Sequence, residues 1–302
     1  MQKQHVAIPG IIIGCVVFGL GSLIVAHVPV GAYAIAFWRL LIAAFIFFIL
    51  AKCFKQRLPK SKKAIRYALT SGVFLAFDLA FWHESVHAVG PGISTLLNSL
   101  QIFFLAAISF FYFKEKQSMM QLVSLILAII GVYFITGSEF AYNEHALWGF
   151  TTGIISSLLL ALSMVFIRKT HEVEPTPIFP MMLLISIAGA IILIPPSLLF
   201  NANSLYPTNP LDWLWVFVYG AVMQCFAWGM IAYCVPLLSL SLTGLLLLSE
   251  PIAALVIDYS VLDKPINLVQ WSGAVVTMFA IYLGSVSSQP RKPKIHRIHK
   301  NN

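Results

Sequence analysis

The sequence predicts an all-α integral membrane protein with ten transmembrane helices. Of its 302 residues, 59% are hydrophobic and only 10% are charged, whereas a typical soluble domain has about 25% charged residues. A water-soluble fold of this size needs more charged residues on its surface. We therefore expect most side chains either to face lipid or to pack inside a helical bundle. Ten apolar runs of about 20 residues, the length that crosses a bilayer, account for roughly two thirds of the chain.

The ten predicted spans follow one another with short connections, which leave little mass for a soluble domain. They lie at residues 8–26, 31–51, 66–88, 92–113, 118–137, 146–168, 178–199, 213–234, 238–258 and 266–286, and are numbered one to ten below. Transmembrane β-strands would instead show about ten residues of alternating polarity. The first run lacks a convincing small-residue cleavage site, so we expect an uncleaved span rather than a secretory signal.

The basic residues predict the orientation of the chain. Segment 52–66 carries seven Lys and Arg residues, and the C-terminal tail 289–302 carries five. Because cytoplasmic loops are enriched in Lys and Arg, we expect both termini to be cytoplasmic, in the inner membrane of a bacterium. The same loop can also contact anionic lipids, although orientation alone accounts for its charge. The net charge of +8 is scattered between spans and forms no single footprint, which argues against nucleic acid as a partner.

The chain contains an internal repeat. A shift of 149 residues aligns four pairs of polar positions: Ser94 with Thr243, Gln101 with Glu250, Gln121 with Gln270, and Tyr133 with Tyr282. Five spans per half is an odd number, so the two halves must insert with opposite topology. The sequence therefore predicts two inverted five-helix repeats, at residues 1–138 and 139–288, followed by a basic cytoplasmic tail at 289–302.

Charged side chains within the spans need an explanation, because each costs about 2.5–3.5 kcal/mol at the bilayer centre on insertion scales. One interpretation of Arg39 in span two is an anchor for a substrate carboxylate. The other is a structural residue, which either forms a permanent ion pair with a neighbouring helix or extends its charged end to the outer headgroups. Asp78 and Trp82 in span three are four residues apart and share a face. A buried carboxylate can load and release a proton, and an indole can receive a cationic or apolar substrate.

His83, Glu84 and His87 lie nearer the outer end of span three and are predicted to point away from Asp78. The simplest interpretation places them in the outer headgroup layer. His83 and His87, at four-residue spacing, could alternatively hold a metal ion, but no further ligands cluster in the sequence. No metal site is therefore predicted.

Three later spans supply the remaining candidates for a central cavity. These are Asn98 and Gln101 of span four, Gln224 and Trp228 of span eight, and Glu250 of span nine. Pro251 removes a backbone donor next to Glu250 and is expected to disturb the helix there. A broken helix near a buried acid is typical of binding sites at the midplane of a membrane.

Several catalytic and nucleotide-binding motifs are missing from the sequence. It has no zinc-protease signature, no nucleophile elbow and no phosphate-binding glycine-rich loop. No cofactor is predicted, and any energy source is expected to be a gradient of an ion or a substrate.

The sequence resembles the drug/metabolite transporter superfamily, and within it the EamA-like branch. Besides the five-plus-five organisation, the resemblance rests on Phe37-Trp38-Arg39, Asn98-Ser99-Leu100-Gln101, Lys114-Glu115-Lys116, and Ser249-Glu250-Pro251 with Ala253-Ala254. The first half departs from the family pattern, since Leu100-Gln101 replaces the Glu-Pro segment of the family. The acidic residue that often closes the following loop corresponds to Glu115 and, less cleanly, to Asp263.

The resemblance implies a basket of spans one to four and six to nine around a central cavity, with spans five and ten outside. It also implies export or exchange of small metabolites, many of them amino acids or drugs, without ATP. We therefore expect a secondary transporter that works by alternating access, with Asp78 or Glu250 responding to protons or to a counter-substrate. An intramembrane enzyme or metal-binding protein using His83, Glu84 and His87 is the main alternative, and a channel is a third. The substrate stays open, and a homodimer is compatible with the sequence.

Overall fold

The computed structural model describes residues 2–114, 117–136, 144–260 and 268–287. Over these ranges the regular structure is helical, with no strand. Seven helices are long and apolar enough to cross a membrane, and three shorter apolar helices at Met119–Gly131, Leu242–Ala253 and Trp271–Ala280 coincide with spans five, nine and ten. The predicted all-α membrane fold is confirmed. Glu115, Asp263 and the basic tail lie outside the described residues.

The helices occupy all ten predicted positions. In the first half they are α1 (Gln2–Gly19) and α2 (Gly21–His27) in span one, α3 (Ala32–Cys53) in span two, α4 (Lys62–Val89) in span three, α5 (Pro91–Asn98) and α6 (Gln101–Phe111) in span four, and α7 (Met119–Thr136) in span five.

The second half has the same layout. Its helices are α8 (Ala146–Val173) in span six, α9 (Ile178–Phe200) in span seven, α10 (Pro210–Val218), a π-helix (Tyr219–Trp228) and α11 (Gly229–Cys234) in span eight, α12 (Leu240–Leu247) and α13 (Ser249–Ser260) in span nine, and α14 (Leu268–Ser287) in span ten.

The neighbours of each span recur in the two halves. Span two packs against span seven, span four against span nine, and span five against span ten. Span three packs against spans six and seven, and span eight correspondingly packs against spans one and two. Exchanging the halves therefore preserves these contacts, which supports the predicted division into two repeats.

α3 and α9, which are equivalent helices of the two halves, run antiparallel and cap each other. Asn201, just after α9, accepts hydrogen bonds from the backbone N–H groups of Tyr33 (2.9 Å) and Ala34 (3.2 Å) at the start of α3. Gln56, just after α3, accepts one from the N–H of Phe179 (3.2 Å) at the start of α9. The first N–H groups of a helix have no partner within it and need such acceptors. The opposite directions of α3 and α9 support inverted repeats.

Spans four and nine are each interrupted at the same place in the repeat. α5 ends at Asn98 and α6 begins at Gln101, while α12 ends at Leu247 and α13 begins at Ser249. Backbone hydrogen bonds of three-residue spacing tighten the chain at both interruptions. Each half thus contributes one broken helix to the bundle.

Span nine is interrupted beside Glu250, as the sequence predicted. α13 begins at Ser249, so Pro251 lies in its first turn, where a missing N–H leaves no helical hydrogen bond unmade. The first half breaks at the equivalent position with Leu100 and Gln101 and has no proline there. The predicted interruption beside Glu250 is therefore present, and the break in the first half shows that a proline is not required for one.

Two glycines let α4 and α9 cross closely. A Cβ atom on Gly72 would overlap the carbonyl oxygen of Ile185 and lie 2.9 Å from Cβ of Ala188. A Cβ atom on Gly189 would lie 3.1 Å from the carbonyl oxygen of Gly72. Small residues permit such close approach of backbones in membrane proteins, where packing drives helix association. This crossing joins the two halves directly.

The linker between α8 and α9 caps the start of α4. The carboxylate of Glu174 accepts hydrogen bonds from the backbone N–H groups of Lys60 (3.0 Å) and Ser61 (2.7 Å). These two bonds, with a smaller contribution from the charge of Lys60, hold the pKa of Glu174 below its ordinary value. The contact therefore ties the two halves together at one end of the bundle.

This cap predicts a pH-dependent loss of stability. A lowered pKa in the folded state adds stability above the unfolded pKa, about 4.3 for Glu, and that stability is lost as the pH falls through the folded value. We expect the Tm of the wild type in detergent to fall more steeply than that of Glu174→Gln between about pH 5 and pH 3. Ser61→Ala removes a non-titrating cap (Ser61 Oγ to the Ala64 N–H, 3.4 Å) and should shift Tm equally at every pH. Equal slopes for the wild type and Glu174→Gln would contradict the prediction.

Candidate functional site

Arg39 lies in a buried polar cluster between α3 and the π-helix of span eight. Its side chain is 0% exposed. Nε donates a hydrogen bond to Oε1 of Gln224 (2.7 Å), Nη1 donates one to Oη of Tyr219 (2.6 Å), and Nη2 has no partner. Both partners are neutral, and Arg39 makes no ion pair within the part of the chain that the structure describes. Of the sequence-based alternatives, the permanent ion pair and the snorkelling side chain are therefore wrong.

The π-helix explains how two residues of span eight reach Arg39 together. Tyr219 and Gln224 are five residues apart, which places them on different faces of an ordinary α-helix. The wider turn of a π-helix, with hydrogen bonds of five-residue spacing, brings them onto neighbouring positions. Gly220 supports the same contact, because a Cβ atom there would lie 2.7 Å from Cβ of Ile42 in α3.

Tyr219 also connects Arg39 to His83. Nε2 of His83 lies 2.7 Å from Oη of Tyr219, and Nδ1 lies 3.0 Å from the carbonyl oxygen of Ala32. Because a carbonyl oxygen only accepts, Nδ1 carries a proton, and in a neutral imidazole Nε2 then accepts from the Tyr219 hydroxyl. The hydrogen bonds thus run in one direction, from Arg39 through Tyr219 and His83 to Ala32, and hold the guanidinium in place.

The structure corrects the predicted position of His83. It is 0% exposed and belongs to the chain just described, so it does not lie with Glu84 and His87 in an outer headgroup layer. Oε2 of Glu84 accepts from Nε1 of Trp148 (3.2 Å), and Nε2 of His87 lies 3.3 Å from the carbonyl oxygen of Val25, so the three side chains diverge. Among the described residues, no group of three or more His, Cys, Asp or Glu could hold a metal ion.

Phe18 of span one lies between the two predicted tryptophans. Its ring centroid is 6.4 Å from that of Trp82 and 6.0 Å from that of Trp228. The guanidinium carbon of Arg39 lies 4.7 Å above the same ring, a favourable position for a cation–π contact. Trp82 and Trp228 are almost fully buried, and the indole Nε1 of each lacks a hydrogen-bond partner. Phe18 therefore joins aromatic residues from both halves into one wall.

Asp78 forms a second polar group with Asn98 and Ser156. Oδ1 of Asp78 accepts hydrogen bonds from Oγ of Ser156 (2.7 Å) and from Nδ2 of Asn98 (3.1 Å). Nδ2 of Asn98 also lies 2.6 Å from Oγ of Ser156. The three side chains come from spans three, four and six, so this group also crosses between the halves.

Gln101 and Glu250 stand at the equivalent positions of the two broken helices. Both side chains are buried, and Oε1 of Gln101 has no hydrogen-bond partner. Glu250 lies close enough to Asp78 and Arg39 for their charges to interact. The structure therefore places the three predicted intramembrane charges in one electrostatic group.

Five buried polar atoms without partners belong to residues that the sequence singled out. They are Nη2 of Arg39, Nε1 of Trp82, Oε1 of Gln101, Nε2 of Gln224 and Nε1 of Trp228. Leaving a buried polar atom unpaired costs about 1–3 kcal/mol. Such atoms at one site indicate a place where a bound molecule supplies the missing partners.

Sequence reasoning missed three members of the site: Phe18, Ser156 and Tyr219. Serine and tyrosine are common in membrane helices as interhelical or interfacial residues, so their identity alone does not mark them. The spacing of Tyr219 from Gln224 becomes informative only when the π-helix is known. Phe18 is one of 23 phenylalanines, and nothing in the sequence distinguishes it.

The model of the EamA-like transporter family matches residues 5–137 and 147–286, which together cover nearly the whole chain. The chain belongs to the EamA-like transporter family. It is therefore a multi-pass integral membrane transporter and not an enzyme, as the sequence predicted.

Relatives of this transporter include two Bacillus subtilis (strain 168) proteins described as uncharacterized transporters. YetK is 25% identical over 87% of this chain and 81% of its own length, and YxxF is 22% identical over 95% and 92%. A probable amino-acid metabolite efflux pump of Salmonella typhimurium is 27% identical over 54% of this chain and 53% of its own. One solved crystal structure has a TM-score of 0.73 at 12% identity, over 95% of this chain and 97% of that chain, which is a likeness of fold alone.

Proposed function

We propose that this transporter is secondary-active and moves a small metabolite by alternating access around the site formed by Arg39, Asp78 and Glu250. The observation that carries the proposal is the buried cluster with unpaired polar atoms, which lies beside two broken helices. The Salmonella relative, a probable amino-acid metabolite efflux pump, supports export of an amino acid or a similar amphiphile. Both termini are cytoplasmic in this proposal, and the membrane is a bacterial inner membrane.

Contacts across the two halves support alternating access. Arg39 is bonded to Gln224, Asp78 to Ser156, and His83 to Tyr219, and in each pair the two residues come from different halves. The proposed halves, residues 1–138 and 139–288, are supported by the two stretches that the family model matches. A movement of one half against the other would remake these contacts, so a ligand that bridges them can shift the equilibrium between conformations.

Asp78 and Glu250 are the proposed coupling groups. Both are buried carboxylates whose charges interact with each other and with Arg39. Loading one of them with a proton removes a negative charge beside the substrate, which links proton binding to substrate binding. A counter-substrate could use the same groups. The alternative of an outer-face enzyme or metal site is not favoured, because His83, Glu84 and His87 do not converge.

Reconstituted transport tests the proposal. Proteoliposomes preloaded with a panel of radiolabelled amino acids should release at least one of them faster than protein-free liposomes, with a rate that saturates. An imposed pH gradient should change the extent of accumulation. Unsaturable flux with measurable ionic conductance would instead indicate a channel, and chemical conversion of the panel compounds would indicate an enzyme.

A further inference from the structure

We propose that the Arg39 site binds the carboxylate of an aromatic or apolar monocarboxylic acid. This inference rests on the proposed transport function and names the class of its substrate. The carboxylate would contact Nη2 of Arg39 and Nε2 of Gln224, and the body of the acid would lie against Phe18, Trp82 and Trp228.

Arg39 has no counter-ion in direct contact among the described residues. A fully buried guanidinium without an anion is costly, because the charge loses its hydration. Its hydrogen-bond partners, Gln224 and Tyr219, are neutral. Asp78 and Glu250 act on it only through space, and Oδ1 of Asp78 is held by Ser156 and Asn98. An anion from outside the chain would supply the direct hydrogen-bonded partner that Arg39 lacks.

The set of unpaired atoms gives the chemistry of that anion. Arg39, Gln224, Trp82 and Trp228 each leave a fully buried N–H donor without a partner, and Oε1 of Gln101 in span four is the one fully buried acceptor in this position among the predicted site residues that the structure describes. Nε2 of Gln224 belongs to the same amide whose Oε1 accepts from Nε of Arg39, so the two free donors belong to one hydrogen-bonded pair of side chains. A carboxylate offers an acceptor oxygen for each of them, whereas an ammonium group offers donors only.

The surroundings favour one carboxylate on an apolar body. Phe18 lies 6.4 Å from Trp82 and 6.0 Å from Trp228, measured between ring centroids, so three rings border the donors. Aromatic rings of a ligand pack well against such a wall. With Asp78 and Glu250 protonated, the single charge of Arg39 balances one carboxylate, and a second carboxylate would exceed it, which disfavours dicarboxylates.

Ligand-induced stabilisation of the full-length protein in detergent tests the inference. We expect 3-phenylpropanoate to raise Tm, and 3-phenylpropanamide and 3-phenylpropylamine, which match its shape without the anion, to leave it unchanged. Arg39→Lys keeps the charge and loses the planar fork, so it should weaken the acid about tenfold or more. Arg168→Lys, at an arginine in α8 that is buried beside Glu172, is the matched control and should bind the acid as the wild type does.

Gln224→Glu tests directly whether an anion binds beside Arg39. It places a carboxylate of the protein beside the Arg39 guanidinium, so the unliganded Tm should hold or rise while the response to 3-phenylpropanoate is lost. A response of Gln224→Glu equal to the wild type, an equal response to acid and amide, or no response of the wild type to the acid would overturn the inference. Saturable flux of a compound without a carboxylate would refute the substrate class and leave the transport function standing. Binding of the acid without any flux would support the Arg39 site as an anion site and refute the transport function.

Discussion

Proton-driven accumulation is expected to collapse when Asp78→Asn and Glu250→Gln are combined. A pH gradient of one unit stores about 1.4 kcal/mol per proton, enough for about a tenfold concentration ratio at one proton per substrate. With both buried carboxylates replaced, the two proposed coupling groups are gone, and the ratio should fall to about one. Each amide keeps an acceptor oxygen, so the side chain introduced by Asp78→Asn can still accept from Ser156 and Asn98, and folding should be preserved.

The two single variants and a control variant show which carboxylate is responsible for the loss of accumulation. The residue whose single replacement abolishes accumulation is the coupling acid, and flux by exchange should survive it. Glu84→Gln, which removes an acid of the same span that bonds to Trp148 away from the site, should accumulate substrate normally. Full accumulation by the double variant would refute the assignment of both carboxylates, and loss in Glu84→Gln alone would favour an outer-face mechanism.

The largest expected effect on stability comes from Gly72→Ala. A single methyl group there would overlap the carbonyl oxygen of Ile185, which belongs to the backbone of α9 and cannot turn away. The two helices would have to separate along their crossing, and overpacking of this kind costs about 3 kcal/mol or more. We expect poor expression and a clearly lower Tm in detergent.

Gly229→Ala is the matched control for this substitution. A Cβ atom at Gly229 would lie 3.5 Å from Cζ of Phe47, which is an ordinary contact. Because alanine is favoured over glycine in a helix, this variant should be neutral or more stable by up to about 1 kcal/mol. A similar Tm for the two variants would show that α4 and α9 do not need their close crossing.

The Arg39 cluster also limits how the two halves can move. At least five hydrogen bonds cross between the halves at the site, while Glu174 and Asn201 tie the halves near the ends of the helices. In the proposed alternating-access mechanism, we therefore expect the broken helices of spans four and nine to change locally when one half moves against the other. The interruptions of these spans lie next to Gln101 and Glu250, which places the adaptable backbone beside the charged groups.

Most of the fold could be predicted from the sequence because bilayer physics leaves few choices. Long apolar runs must be helices, since an unpaired backbone group in lipid is too costly. The aligned pair of Gln101 and Glu250 even predicted equivalent places in two repeats, and both residues lie at helix breaks. The sequence pointed to the break beside Pro251, whereas the break in the first half has no proline and is visible only in the fold.

For the candidate site too, the sequence shows which residues matter and the structure shows how they contact one another. The sequence by itself determined which side chains are out of place in a membrane, and Arg39, Asp78 and Glu250 stand out because a charge in lipid demands a reason. Only the tertiary structure decided their partners. His83 proved to be buried against Tyr219, and a π-helix proved to align Tyr219 with Gln224 on Arg39. Helical periodicity shows which residues share one face of a helix. It does not show which helices are neighbours, and that packing determines the hydrogen-bond partners.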